Sequence, residues 1–349
     1  MKKLNIIVIG LGHQSLEDHL PAINDSKYFN LVGVSDIDEE VTAQTAKEYN
    51  VTYSNVGVSE LLDLLPEKPD VALIAVPHKD YLSIIKILAK AKIDIIKEKP
   101  FATSVDEAKE MIKLAKEYNI SFQVTLQRRF NPIFISFSQL LQRIGKIYSI
   151  EARYTLNIAH LDEGWRSSKV FSGGGALVDL GYHYIDLLIW YFGLPDSVTC
   201  RISTHNREGQ EYDVEDTALL NFTYNENDGD DETILGNLIV SRVYPEKDES
   251  LIAYGSKGSV YIRRGKVCRR DLEGNEIEVL ERSGSWPSAL YDQLDEFAKN
   301  IIANKNRGVI DPQHLEHVAF IDTAYRSSVD HSTLDPHVTL NKLISEMQK

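Results

Sequence analysis

At 349 residues, 43% of them hydrophobic and 26% charged, the chain exceeds what one core usually serves and fits two folded domains rather than a small module or a disordered arm. Thirty-eight basic against 52 acidic side chains give a net charge of −14, which repels a phosphate backbone or an anionic lipid surface, so nucleic acid is not an expected partner. The apolar runs Val71 to Val76 and Ile185 to Phe192 fall far short of the roughly 20 residues a bilayer demands, and the two cysteines, Cys200 and Cys268, offer neither a disulfide framework nor metal-ligand spacing, so a cytoplasmic protein without a membrane span is expected.

The opening Met1-Lys2-Lys3 followed by LNIIVIGLG is too short and too broken by Asn5 for a signal peptide, and is expected to be a first strand. Strands are predicted at Leu4 to Ile9, Leu31 to Ser35, Val71 to Val76, Asp94 to Lys97 and Ser121 to Thr125. Helices around 16–28, 39–49, 59–65, 79–91 and 104–118 alternate with them, which is the rhythm of a doubly wound parallel α/β sheet. After Phe130-Asn131-Pro132 the rhythm changes. A helix near 132–143, a strand at 146–156, a glycine-introduced helix near 176–192 and strand-like runs from 196 to 281 predict a second, α+β domain with a mostly antiparallel sheet. The acidic loop 225–232 is expected to be a solvated hairpin tip. Helices near 286–304 and 312–330 follow, giving expected domains of 1–126 and 127–333 and a polar tail, 334–349.

Gly10-Leu11-Gly12-His13-Gln14-Ser15 lies between the first strand and the first helix, where a dinucleotide pyrophosphate meets unpaired N–H groups at a positive helix end. Ser15 stands where the GxGxxG fingerprint has glycine or alanine. Asp36, at the end of the second strand, is placed to accept hydrogen bonds from the adenosine ribose, and no Arg or Lys follows it to receive a 2′-phosphate. NAD is therefore favoured over NADP.

Glu98-Lys99-Pro100 follows the strand Asp94 to Lys97 at the carboxyl edge of the sheet, which puts Lys99 near the nicotinamide. In the second half, Gly173-Gly174-Gly175 precedes a helix in which Asp179, His183, Asp186 and Trp190 are spaced four, three and four apart and so share one narrow face. A lone histidine on an apolar helix is ordinarily a satisfied core residue. Here an aspartate one turn earlier and a glycine-rich entry that would let a ligand approach closely favour a functional histidine. His183 and Asp186 could be two metal ligands, but no further His or Cys cluster has matching spacing, so no metal is expected.

These residues resemble the glucose-fructose oxidoreductase, inositol dehydrogenase and rhizopine-catabolism family, Gfo/Idh/MocA, through the GLG turn, ALIAVP, IIKEKP, LQRRFNP and GGGALVDLGYHYIDLL. The resemblance implies an N-terminal NAD-binding Rossmann domain and a C-terminal domain whose open sheet serves homodimer or homotetramer contacts. It implies hydride transfer at a carbinol carbon, with Lys99, Asp179 and His183 as the catalytic group. Cofactor contacts are expected from Gly10, Gly12, His13, Gln14, Ser15, Asp36, Pro77, His78, Glu98, Lys99, Gln127 and Arg128. Two further departures stand out: Tyr81 occupies the place of a histidine in the PNxxH pattern, and Lys97 is an unusual charge directly before EKP.

Removing a proton from an alcohol as hydride leaves its carbon needs a base near neutrality and a cation for the developing alkoxide, roles that fall to His183 and Lys99. Arg129, Trp165 and Arg166 are expected at the substrate, with Tyr154, His160 and Asp162 as weaker candidates. The expected substrate is a sugar, cyclitol or sugar phosphate. A reductase of another carbonyl or an imine, or a regulatory protein that binds NAD without turnover, are the other readings open to such a fold.

Overall fold

The computed structural model describes residues 3–225, 233–281 and 286–348. Apart from Asn225, the acidic loop expected at a hairpin tip lies outside the described residues. The chain divides into two compact units, one of 1–101, 106–127 and 285–311, the other of 102–105, 128–284 and 312–349.

The first unit carries six parallel strands, β1 (Leu4–Ile9), β2 (Phe29–Ser35), β3 (Thr52–Ser54), β4 (Val71–Ile74), β5 (Asp94–Lys97) and β6 (Phe122–Val124). Their order is β3-β2-β1-β4-β5-β6, so the winding reverses between β1 and β4 and opens a crevice at the carboxyl ends of those strands. Every residue of β4 is buried, the continuous pattern of a strand covered on both faces. The short edge strand β3 was not expected, because three residues are too few to show a period. Helix ends follow local chemistry: the Asp38 carboxylate accepts from the Val41 N–H at 3.1 Å to start the helix Glu39–Tyr49, and Asn50 ends it with φ 54°. The helix expected at 16–28 comes in two pieces, a wide π-type segment, Ser15–His19, and an α-helix, Leu20–Asp25.

The helix Trp286–Ile302 belongs to this unit, where the sequence placed it in the second domain. Its Leu290, Leu294, Phe297, Ala298 and Ile301 share a core with Ile6, Val8, Leu20, Ile23 and Val34. Helical periodicity shows which face of a helix is apolar; it carries no information on which core that face enters.

In the second unit β7 (Ile147–Asn157), β8 (Ser197–Ser203), β9 (Thr217–Asn225), β10 (Thr233–Ser241), β11 (Val243–Gly255), β12 (Gly258–Arg263), β13 (Lys266–Arg270) and β14 (Glu276–Glu281) form one sheet. The order is β14-β13-β12-β11-β7-β10-β9-β8, antiparallel except where β10 runs parallel to β7. Burial alternates along it: Ala218, Leu220, Phe222 and Tyr224 of β9 face inward, while Leu219 faces out. Gly236 on β10 makes room for the Phe222 ring, which a Cβ there would meet at 1.9 Å. The helix Pro312–Asp330 packs on β8, where the Ser327 hydroxyl accepts from the Cys200 N–H at 2.9 Å. The expected polar tail contains a helix, His337–Gln348, anchored by the buried Leu343. No helix among the described residues is long and apolar enough to cross a membrane.

Phe297 is buried in the first unit's core, so Phe297→Ala should lower stability by about 3–5 kcal/mol, measured by urea unfolding.

Candidate active site

Gly10 turns the chain out of β1 with φ +91°, and a Cβ there would lie 2.3 Å from the Ala75 carbonyl oxygen just beyond β4, so the turn accepts glycine alone. Gly12 differs. Nothing lies within 4 Å of the place its Cβ would occupy, so the backbone is open at the start of a helical segment, the cradle that a pyrophosphate requires. Asp36 locks this turn to β2: one carboxylate oxygen accepts from the Leu11 N–H at 2.6 Å and the other from the Asp38 N–H at 3.0 Å, leaving lone pairs for ribose hydroxyls. Ser15 is buried and its hydroxyl donates to the Gly10 carbonyl at 2.6 Å. The third fingerprint position is thus filled by a hydrogen bond between helix and turn. His13 is exposed, and Gln14 donates to Asp18 at 2.6 Å.

At the end of β5 the Glu98 carboxylate is almost fully buried. One oxygen lies 2.7 Å from His19 Nε2, and the other accepts from the Lys99 N–H at 3.1 Å. Burial alone would raise its pKa; the hydrogen bond and charge of His19, then the Lys99 charge, hold it below the ordinary value. Glu98, expected at the cofactor, joins the helix after the glycine turn to the lysine segment. Sequence reasoning missed His19, whose signal was a histidine one turn into the first helix, on its apolar side. Pro77 precedes a short turn in which His78 is buried, its ring stacked on Tyr81 with centroids 5.8 Å apart. Gln127 is buried at the end of this unit.

In the second unit the helix expected at 176–192 opens with a π-type segment, Leu177–Gly181, and continues as the α-helix Tyr182–Phe192. The expected polar stripe splits by burial. Asp179, His183 and Trp190 stay partly exposed, whereas Asp186 is buried and lies 2.5 Å from an Arg129 nitrogen and 3.1 Å from His317 Nε2. Burial would raise the Asp186 pKa, but Arg129 first and then His317 hold it down to about 2. Arg129, expected at the substrate, also donates to Gln313, so its guanidinium is committed to this buried cluster.

Asp179 is paired with Arg242 at 3.0 Å and lies 3.6 Å from Arg166. The Arg166 guanidinium lies 4.3 Å from the Trp165 ring centroid, so these expected substrate residues do gather. His183 lies beside Tyr154, ring centroids 6.1 Å apart. Burial, then Glu249, pushes the Tyr154 hydroxyl up to about 12 against the pull of Arg128. Arg128, expected at the cofactor, is buried against the Tyr154 and Tyr184 rings and donates to Glu249 at 2.8 Å. His160 and Asp162 are exposed.

Arg242 was missed, although Leu238, Val240 and Arg242 share one parity and the first two face inward, a register that demands an acid for the arginine. Glu215 was missed as well. Its carboxylate accepts from the Gly175 and Leu177 N–H groups, both at 2.9 Å, and from the Tyr325 hydroxyl at 2.9 Å, capping the helix that carries Asp179. The three glycines before that helix serve packing. A Cβ would meet Thr103 at 2.6 Å from Gly173, the Tyr325 hydroxyl at 2.1 Å from Gly174 and the Glu215 carbonyl oxygen at 1.9 Å from Gly175.

A six-stranded parallel sheet with an open glycine turn at its switch point defines a dinucleotide-binding protein of the Rossmann class. Residues 4–126 match the oxidoreductase family with an NAD-binding Rossmann fold, GFO/IDH/MocA, and residues 139–261 match the GFO/IDH/MocA C-terminal domain; the chain belongs to this family. An uncharacterized oxidoreductase of Schizosaccharomyces pombe is 26% identical over 229 residues, 64% of this chain and 61% of the relative, so the chain spans less than two thirds of that relative's length. A levoglucosan dehydrogenase of Pseudarthrobacter phenanthrenivorans is 27% identical over 49% of this chain and 45% of its own. Among solved structures, an aldose-aldose oxidoreductase from Caulobacter crescentus, complexed with glycerol, aligns with TM-score 0.83 at 19% identity over 96% of this chain and 100% of its own. A levoglucosan dehydrogenase in complex with NADH and L-sorbose aligns with TM-score 0.82 at 19% identity over 96% and 99%. These structures share the fold.

The two kinds of glycine separate by substitution. Gly175→Ala drives a Cβ into backbone and should cost more than about 3 kcal/mol in urea unfolding. Gly12→Ala should leave stability within about 1 kcal/mol of the parent yet weaken NADH binding at least about tenfold by fluorescence titration.

Proposed function

We propose that the protein is an NAD-dependent dehydrogenase that moves hydride between the nicotinamide and a secondary alcohol or ketone carbon of a sugar, cyclitol or sugar phosphate. The observation that carries this reading lies in the first unit: the open backbone at Gly12 and the Lys99 segment occupy the same carboxyl edge of one parallel sheet, at the switch point and two strands from it. The names of the relatives, levoglucosan dehydrogenase and aldose-aldose oxidoreductase, support a carbohydrate substrate.

Gly10, Gly12, His13, Gln14 and Asp36 would hold the dinucleotide, which when bound accepts or returns the hydride. Asp38, Glu39 and Glu40 crowd the end of β2 with negative charge and disfavour a 2′-phosphate, so NAD is preferred to NADP. Lys99 stabilises the negative charge that develops on the substrate oxygen, and His183 takes the hydroxyl proton. Arg242 pairs with Asp179 and orients its carboxylate, whose charge stabilises the histidine in its protonated form. Trp165 and Arg166 present a flat ring and hydrogen-bond donors to substrate hydroxyls. The outward face of the second unit's sheet, with Leu219, Leu235 and Val279 exposed, is the surface for homodimer or homotetramer contacts. Two buried free thiols, Cys200 and Cys268, suit a reducing cytoplasm.

The test is NADH formation, followed by absorbance, across a panel of levoglucosan, aldoses, inositols and sugar phosphates, with NAD and NADP offered in turn. Lys99→Met and His183→Asn should each lower kcat by about 10²–10⁴-fold while NADH still binds. Near-normal turnover in either variant would remove that residue from the chemistry.

A further inference from the structure

Lys97 ends β5 with its side chain fully buried, an uncommon place for an ammonium group. Its Nζ lies 3.5 Å from the centroid of the Tyr81 ring and donates to the carbonyl oxygens of Glu98, at 3.2 Å, and Pro100. Those two carbonyls belong to the residues on either side of Lys99. Tyr81 is itself buried and stacked on His78. Tyr81 and Lys97, both noted in the sequence as departures from the family motifs, are brought into contact by the fold.

We propose that Lys97 and Tyr81 form a positioning pair for Lys99: the buried ammonium gathers the carbonyls of Glu98 and Pro100, and the Tyr81 ring provides the face against which that cation rests. The inference rests on the reading of Lys99 as the cation of the reaction. A methionine would fill the same volume without the cost of burying a charge, so what distinguishes lysine here is the set of donors it directs at the backbone around Lys99. Four other titratable groups bear on it. Glu107, from the helix Val105–Tyr118, and Glu98 favour the ammonium; Lys99 follows in the chain, and His78 stacks on the far partner, Tyr81.

Burial pushes the Lys97 ammonium down to about 7, with Glu107 and then Glu98 opposing it. The folded value lies below the ordinary 10.5, so between about pH 7 and about pH 10 the unfolded chain holds the extra proton and stability climbs with pH. Below about pH 7 both states are protonated and the full penalty of the buried charge is present.

Three measurements on Lys97→Met, Tyr81→Leu and the double variant test the pair. Hydrogen exchange of the Lys99 and Phe101 amides should quicken at least about tenfold in Lys97→Met, with the Gly10 to His19 segment unchanged. The alkaline rise in stability should flatten in that variant. With a polyol that the parent oxidises, kcat should fall about tenfold or more at little change in KM for NAD, and adding Tyr81→Leu should deepen the loss by far less than it does alone. Unchanged exchange around Lys99 in Lys97→Met, or strictly additive effects of the two substitutions, overturns the pair. Should the parent oxidise nothing in the panel, the dehydrogenase reading falls, while the exchange and stability measurements still decide what Lys97 does.

Discussion

The first unit depends on a single buried carboxylate. Glu98 reaches back to His19 with one oxygen and holds the Lys99 N–H with the other, so the helix after the glycine turn and the segment after β5 share one charge. Leaving such an acid without either contact would strand a charge in a medium that cannot solvate it. The second unit uses the same device twice: Arg242 fixes Asp179, and Glu215 fixes the backbone at the start of the same helix. In both units the groups that would meet substrate stand on polar residues that solvent barely reaches, which is how a site keeps its geometry while its outer face stays open.

Buried charge also explains where side chains did not go. Arg129 and Asp186 have the residue types of a substrate site, yet they satisfy one another beside His317 inside the second unit. An arginine at a domain junction and an aspartate on an amphipathic helix carry no mark in one dimension of whether the partner is a ligand or each other. Burial decides it: Asp186 faces Arg129 and His317 inside the unit, whereas His183 and Trp190 of the same helix stay partly exposed.

Much of the architecture was legible. Continuous apolar runs such as Val71–Ile74 read directly as strands buried on both faces, and the order of the strand-like runs after 196 pointed to a mostly antiparallel sheet. The glycine turn, Asp36 and Lys99 emerged from their places at strand ends. Less accessible were features set by distant contact: the crowding that makes Gly173, Gly174 and Gly175 small, the cap from Glu215, and the core that receives Leu294 and Phe297. Arg242 is an intermediate case, since strand parity exposes its burial, though not which acid answers it.

The return of the helix Trp286–Ile302 to the first unit has a consequence during synthesis. Ribosomes add about 5–20 residues each second, so the sheet that ends with β6 waits on the order of ten seconds for the helix that completes its core. Over that interval the apolar surface of Ile6, Leu20 and Val34 facing the missing helix is bare in the growing polypeptide, and residues 128–284 of the second unit are translated meanwhile. Maturation of the nucleotide-binding half is therefore a late event, tied to near-completion of translation, and a nascent chain stalled midway would present a sticky, half-covered sheet to chaperones.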